Sequence, residues 1–497
     1  MSNKELIAEN INNTLESGYV PELGMHRSGK VRDVHFRSKE IGSPIIMIAS
    51  DRVSVFDHIL DRRIPFKGRV LNMLNKWAFV HTEDIIQNAS AKSPHVNVLV
   101  QKYCRNIMVE CVVRGYVWGS MSEEYEKGRR EICGVKLPEG LLRYQKLAEP
   151  VFTPTTKADA HDEPMTFDQV KKMLGEELAE KVRETSLRLY NRGAELALKR
   201  GLLFIDTKYE FGIDEKGELL LIDEANTPDS SRYCTVEEYR KFEEIKKEMS
   251  GYRNVSELLK DRPKLKIQEM SKQFVRDVLI EKGFSYGSTG KPPSLSDEDV
   301  VEVSRRYIHL YELLTGEKFE FPKGSVRHDI VNSLRNSGYI KGAIAVIVAG
   351  SDSDMPHMEK IKSELGRYGI PSVMRICSAH KQPSSCEDLV REYNNSIEPV
   401  VFVSVAGGTD ALSGVLSFLS VHPVISCPPA EHSSCLSNPP GSANSVIMNP
   451  ANVAKHIAQI FGHNDASLQR VVLEKNTEKV TKLKAADESS RNEFHRG

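Results

Sequence analysis

Between Gly342 and Phe461 the sequence alternates apolar runs with helical ones: AIAVIVAG, IPSVMRIC and PVVFVSVAGG are each followed by an amphipathic stretch, and HPVISCPP leads through SVIM to a last helix. Runs that are apolar at almost every position do not suit a half-solvated sheet, because side chains alternate between faces and both faces must be covered. Strands joined through helices run parallel, with right-handed crossovers. The pattern predicts a three-layer α/β/α domain over residues 342–465, with its ligand site beyond the carboxyl ends of the strands.

Polar motifs stand at those ends: Gly350-Ser-Asp-Ser-Asp354, Ser378-Ala-His-Lys381, Ala406-Gly-Gly-Thr-Asp410 and Cys427-Pro-Pro429. Ser351 and Ser353 precede a helix whose N-terminal amides and dipole suit a phosphate. Asp354 either caps that helix or accepts from ribose hydroxyls. His380, beside Lys381 and two residues after Ser378, is a candidate proton shuttle, weighed against a structural histidine. Gly407 and Gly408 let a flat ring approach the backbone.

A chain of 497 residues exceeds one compact core. Residues 1–320 are read as a separate α+β domain. Residues 321–341 are read as a linker, because Pro322 and Gly324 interrupt the helical pattern. Residues 466–497 read as a helix followed by a disordered end.

The first domain is organised around Leu202–Arg232. Ile205, Tyr209 and Phe211 alternate with Asp206, Lys208 and Glu210, which turns an acid, a base and an acid onto one face of a strand. The turn Asp214–Gly217 returns the chain antiparallel through Leu219 to Glu224. With Ile213 opposite Glu218, Asp223 falls opposite Lys208 on the face of Glu210. The alternative is a solvated charged edge.

Other charges gather near this hairpin in sequence order. Gly29 between short apolar segments, with Lys30 and Arg32, suits phosphates. Glu110 and Arg114 interrupt the apolar strand NIMVECVVRGYVWGS, closed by Gly119-Ser120, and are either paired with each other or engaged by a ligand. The loop from Phe152 to Glu163 has Lys157 at its centre. Thr227-Pro-Asp-Ser-Ser-Arg232 crowds Asp229, Ser230 and the Arg232 fork into one turn. Two amphipathic helices are predicted between Phe167 and Arg200.

Composition excludes some classes. A net charge of −1 argues against a nucleic-acid partner. There is no apolar run long enough to span a bilayer and no apolar signal core at the N-terminus. Eight cysteines without a CxxC pair read as reduced thiols in a cytoplasmic protein, with no zinc site.

Gly-Lys-Val-Arg-Asp, Val-Val-Arg-Gly-Tyr, Phe-Thr-Pro-Thr-Thr-Lys, Asp-Thr-Lys-Tyr-Glu-Phe-Gly and Thr-Pro-Asp-Ser-Ser-Arg, in this order, resemble phosphoribosylaminoimidazole-succinocarboxamide (SAICAR) synthetase over about residues 19–320. The resemblance includes KQFVRDVLIEKGF and a helix from Asp297 to Thr315, capped by Ser296 and stopped by Gly316. The strand-end motifs after residue 342 resemble the phosphoribosylaminoimidazole (AIR) carboxylase family, with a flavodoxin- or Rossmann-like sheet. The fold class implied is α+β with antiparallel sheets, joined to α/β.

The first resemblance implies ATP and Mg²⁺ as cofactors, with no organic prosthetic group. Glu210 and Asp223 would bind the metal, Lys30, Arg32, Glu110 and Lys208 would serve ATP, and Lys208 would also act in catalysis. Arg114, Ser120, Lys157, Asp229, Ser230 and Arg232 would hold the carboxylated ribotide CAIR and L-aspartate.

The second resemblance implies AIR binding by Ser351, Ser353, Asp354, Ser378, His380, Lys381, Gly407 and Gly408, with His380 and Lys381 catalytic. His-Lys favours direct use of CO₂ or bicarbonate, whereas AGGTD shares its Gly-Gly with the mutases that move a carboxylate from nitrogen. A homo-oligomer through the C-terminal domain is also implied. The rival readings are a ribotide-binding regulatory protein that has lost one activity and a kinase-like enzyme; the latter lacks a recognisable catalytic-loop or DFG set.

Overall fold

A computed structural model describes the chain except residues 1, 57, 158–162, 271, 286, 432–433 and 495–497. It divides into two compact units, Met1–Gly18 with Met25–Val326 and Tyr19–Gly24 with Arg327–Gly497.

The first unit is built on two large antiparallel sheets, with two small two-stranded ones beside them among the described residues. One large sheet has five strands in the order Met25–Ser28, Arg32–Phe36, Pro44–Ala49, Val98–Lys102 and Ser90–His95. The other is built on the strand Leu202–Ile213. This strand pairs with Val109–Tyr116 and Arg105–Asn106 along one edge, and with Ser231–Thr235 and Leu219–Ile222 along the other. A register shift between Phe204 and Asp206 lets both Phe204 and Ile205 reach apolar surroundings.

The helix Glu176–Lys199 contributes Val182, Leu189, Tyr190 and Ala197 to the core shared with Val109, Val113, Tyr209 and Phe211. Helix Asp297–Thr315 begins in a capping box between Ser296 and Asp299 and stops at Gly316, whose φ of 77° favours glycine.

Three sequence expectations are corrected. Ile213 pairs with Leu219, not Glu218. The reason is that Asp214 accepts from the amides of Lys216 and Glu218, both at 2.9 Å, and so holds Glu218 inside the turn. Asp223 then lies beyond the ladder, with φ 61°. The strand with Glu110 and Arg114 ends at Tyr116, and Gly119 opens the helix Gly119–Glu126. The C-terminal tail continues as one helix, Ala466–Phe494, because no glycine or proline interrupts it.

The second unit has a parallel five-stranded sheet in the order Ser372–Ile376, Ile344–Ala349, Val400–Val405, Val424–Ser426, Ser445–Val446. In chain order this is 2-1-3-4-5, the flavodoxin-like order, whose switch point lies between the first and third strands. Helices Met355–Arg367 and Pro450–Gly462 cover one face, and Pro383–Asn394 with Ala411–Leu419 cover the other.

Tyr19–Gly24 is part of this unit. Tyr19 packs with Tyr393 and Phe402 in the core, and the Ile397 amide donates to its carbonyl at 2.9 Å. Glu22 accepts from the amides of Lys341, Gly342 and Ala343 at 2.6, 2.8 and 3.1 Å. The segment read as a linker contains the helix Val326–Asn336, which buries Ile330 and Leu334.

Candidate active sites

The charged face of Leu202–Ile213 is not solvated: Asp206 and Glu210 are both buried. Burial of such charges requires partners, and the strand meets a group of them at each of two positions.

At the Asp206 end, Arg114 Nη1 and Arg232 Nη1 donate to Asp206 Oδ2 at 3.1 and 2.5 Å. Arg114 also donates to Thr153 Oγ1 at 3.1 Å and to Ser120 Oγ at 3.2 Å. Arg232 Nε lies 3.5 Å from Glu269, which accepts from the Trp118 indole. Gly119 has a φ of 56°, and a β-carbon there would come within 2.8 Å of the Arg232 guanidinium. The site is therefore two clamped arginines with a hydroxyl, suited to a phosphate or carboxylate.

At the other end, Lys208 donates to Glu110 and lies 3.4 Å from Glu210, which also accepts from Lys157. Glu110 and Arg114 are not paired with each other. Burial alone would raise the Glu210 carboxyl, but Lys208 and Lys157 outweigh it and hold it below its ordinary value. Asp223 is pushed up to about 6 by burial and by Glu210 and Glu224, against Arg32 and Lys157. Although the register differs from expectation, Asp223 is still within electrostatic reach of Glu210.

Arg32 donates to Glu224 at 2.7 Å and lies 3.8 Å from Asp223, while its Nη1 is buried without a hydrogen-bond partner. Lys30 is exposed at the neighbouring turn. A buried guanidinium nitrogen with no acceptor, beside carboxylates that raise one another, fits an incoming phosphate with a divalent cation. Mg²⁺ takes one or two carboxylates and completes its shell with water and phosphate oxygens. Among the described residues no group of three or more His, Cys, Asp and Glu could hold a metal unaided.

A third group lies off this strand, on the turn that leads into Ser231–Thr235. Lys67, at the start of the helix Lys67–Val80, donates to Asp229 Oδ2 at 2.7 Å, and the Tyr307 hydroxyl donates to Oδ1 at 2.7 Å. Ser230 instead joins a turn with Thr227. Sequence reading brought Asp229 to the substrate but missed Lys67, Glu224, Glu269 and Lys272. None sits in a motif of alternating charge, and Lys272 precedes the helix Gln273–Glu281, where the local pattern signals a helix and nothing more. Lys157 lies with Glu210, away from the arginine pair it was grouped with. The remainder of its loop, residues 158–162, lies outside the described residues.

In the second unit a pocket of about 350 Å³ opens at the carboxyl ends of the first three strands. It is lined by Gly350, Ser351, Ser353 and Asp354, by Ser378 and His380, and by Ala406–Thr409. Asp354 precedes the helix but its side chain makes no capping bond, and a β-carbon on Gly407 would come within 3.0 Å of its Oδ1. Ser351 Oγ accepts from Ser353 Oγ at 2.9 Å. Lys381 is exposed and does not line the pocket.

Fold and sites define a two-centre enzyme of small anionic metabolites, one centre made of clamped cations and carboxylates, the other a strand-end pocket. A family model described as SAICAR synthetase matches residues 25–291, and one described as AIR carboxylase matches residues 344–482. A phosphoribosylaminoimidazole-succinocarboxamide synthase of Flavobacterium psychrophilum is 39% identical over 59% of this chain and 87% of its own length. Its counterpart in Corynebacterium efficiens is 40% identical over 60% and 94%. The structure titled "SAICAR-synthase from Saccharomyces cerevisiae complexed SAICAR" is 29% identical with a TM-score of 0.51, covering 62% of this chain and all of that one. The chain belongs to the SAICAR synthetase family, carries an AIR carboxylase domain after it, and is a bifunctional enzyme of purine biosynthesis, ligase and lyase in one polypeptide.

Proposed function

We propose that the second unit carboxylates AIR to CAIR and that the first condenses CAIR with L-aspartate, using ATP, to give SAICAR. The observation that supports the synthetase reading most is the strand Leu202–Ile213. It carries an arginine-clamped acid at one end and a lysine–carboxylate cluster at the other, so one rigid element spans both substrates.

In this reading Arg114, Ser120 and Arg232 receive the ribotide anions, exchanging Asp206 for substrate oxygens. Asp229 acts by placing Lys67, and Ser230 shapes the same turn. Lys30, Arg32, Lys208 and Lys157 surround the phosphates, with Glu110 orienting Lys208. The CAIR carboxylate takes the terminal phosphoryl group, ADP leaves, and the aspartate amine displaces phosphate from the acyl phosphate. Mg²⁺ held by Glu210 and Asp223 would neutralise charge on the transferring group.

In the second unit Ser351, Ser353 and Ser378 take the ribotide phosphate, and Asp354 takes a ribose hydroxyl. Gly407 and Gly408 lie under the ring. C4 of AIR is already nucleophilic, so carboxylation needs only a positioned CO₂, backbone amides beside the new carboxylate, and His380 to remove the ring proton. The active form is a cytoplasmic homo-oligomer assembled through this unit, with small molecules and no nucleic acid as partners.

Incubation with CAIR, aspartate and Mg-ATP is expected to yield ADP and SAICAR one for one, and EDTA to stop both. No ADP release with metal present would sink the synthetase reading. For the other half, bicarbonate-dependent CAIR formation from AIR without ATP is expected, falling about 10²-fold or more in His380→Asn. Turnover of only the nitrogen-carboxylated ribotide would make the domain a mutase.

A further inference from the structure

The attack of an amino acid on an acyl phosphate requires a neutral amine and somewhere for its proton to go, and none of the residues assigned above supplies that. Lys208 and Lys157 are engaged by carboxylates, and Lys67 is held by Asp229.

Lys272 differs from them. Its Nζ is 3.8 Å from Asp229 Oδ2 and 3.5 Å from Ser54 Oγ. Lys67 and Tyr307 already donate to Asp229 at 2.7 Å each, so Lys272 is the outer cation of that group and is not required to satisfy it. The charged groups around it come from several elements: Asp229 on the turn after residue 226, Lys67 on the helix Lys67–Val80, Arg276 on its own helix, and Glu224 after Leu219–Ile222. Glu224 binds Arg32 at the phosphate end. Arg276 feels Arg232 and Asp206 at the ribotide end. Asp229 lies on a turn tied to both ends of the site. Thr227 Oγ1 accepts from the Asp229 amide at 3.3 Å and donates to Glu224, the partner of Arg32, at 2.9 Å. The turn leads directly into Arg232, so Lys272 stands beside the segment that joins the two ends.

We infer that Lys272 is the general base of the condensation. Its neutral amine takes the proton that the aspartate nitrogen loses as the C–N bond forms and the C–O bond to phosphate breaks, and the resulting ammonium releases that proton to solvent. Burial, with Lys67 and Arg276 adding to it against Asp229, brings its pKa down to about 8, within reach of neutral pH.

This rests on the synthetase reading, and hydroxylamine separates the two. Hydroxylamine is unprotonated at neutral pH and captures an acyl phosphate as a hydroxamate without a base. In Lys272→Met, the ratio of aspartate-dependent to hydroxylamine-dependent ADP release is expected to fall about 10²-fold. The rise of the aspartate rate with pH through about 8 is expected to vanish. Lys272→Arg, which keeps the charge but not the titration, is expected to be as poor. An unchanged ratio, or rescue by arginine, would overturn the assignment and leave Lys272 a phosphate or packing residue. Wild-type chain releasing no ADP with either nucleophile would instead refute the synthetase reading itself.

Discussion

Glu210→Gln is expected to lower ADP release at saturating Mg-ATP by about 10³-fold, the scale lost when charge stabilisation of a transferring group is removed. The neutral amide keeps the shape but cannot hold Lys208 and Lys157, which both contact the native carboxylate. Steady-state assay checks this, with a urea unfolding profile of the first unit matching wild type as the control for folding. An effect under tenfold would place the phosphoryl chemistry elsewhere.

Lys67→Met is expected to cost about 3–5 kcal/mol of stability in the first unit, because it leaves the buried Asp229 without its principal partner. Burial alone would raise the Asp229 carboxyl, but Lys67 and Lys272 with the Tyr307 hydroxyl hold it well below the ordinary carboxylate range. A carboxyl depressed in the folded state contributes stability above its unfolded pKa of about 4, and loses it as pH falls toward the folded value. The gap between variant and wild type, read from urea midpoints, should therefore be widest near neutrality and narrow below about pH 4. A gap independent of pH would mean that lost packing against Tyr307, not lost charge, accounts for the cost.

How much of this was legible in the sequence depends on the range of the interaction. The parallel sheet was readable because its central strands, Ile344–Ala349 and Val400–Val405, are apolar almost throughout, and the pocket because its motifs immediately follow the strands. The helix from Asp297 to Thr315 carries its own start and stop in Ser296 and Gly316. The hairpin register was missed by one residue. Period two fixes faces, but the turn fixes register, and here that depended on a side chain, Asp214, closing on two amides. The partners of Arg114, Glu110 and Asp229 come from distant segments, so local pattern could not identify them. Lys67 and Lys272 look like ordinary helix-end lysines until the fold brings both beside Asp229.

The threading of Tyr19–Gly24 through the second unit has a consequence for anyone dissecting the polypeptide. The two enzymes are not beads on a string, since one cut cannot separate them. A fragment starting at Arg327 would lack the glutamate that binds the amides leading into its first strand, and the tyrosine that packs with Tyr393. A split pair, or a transplant of the carboxylase onto another carrier, has to bring residues 19–24 along as a separate piece. The fusion is written into the fold of the downstream partner and not only into the reading frame.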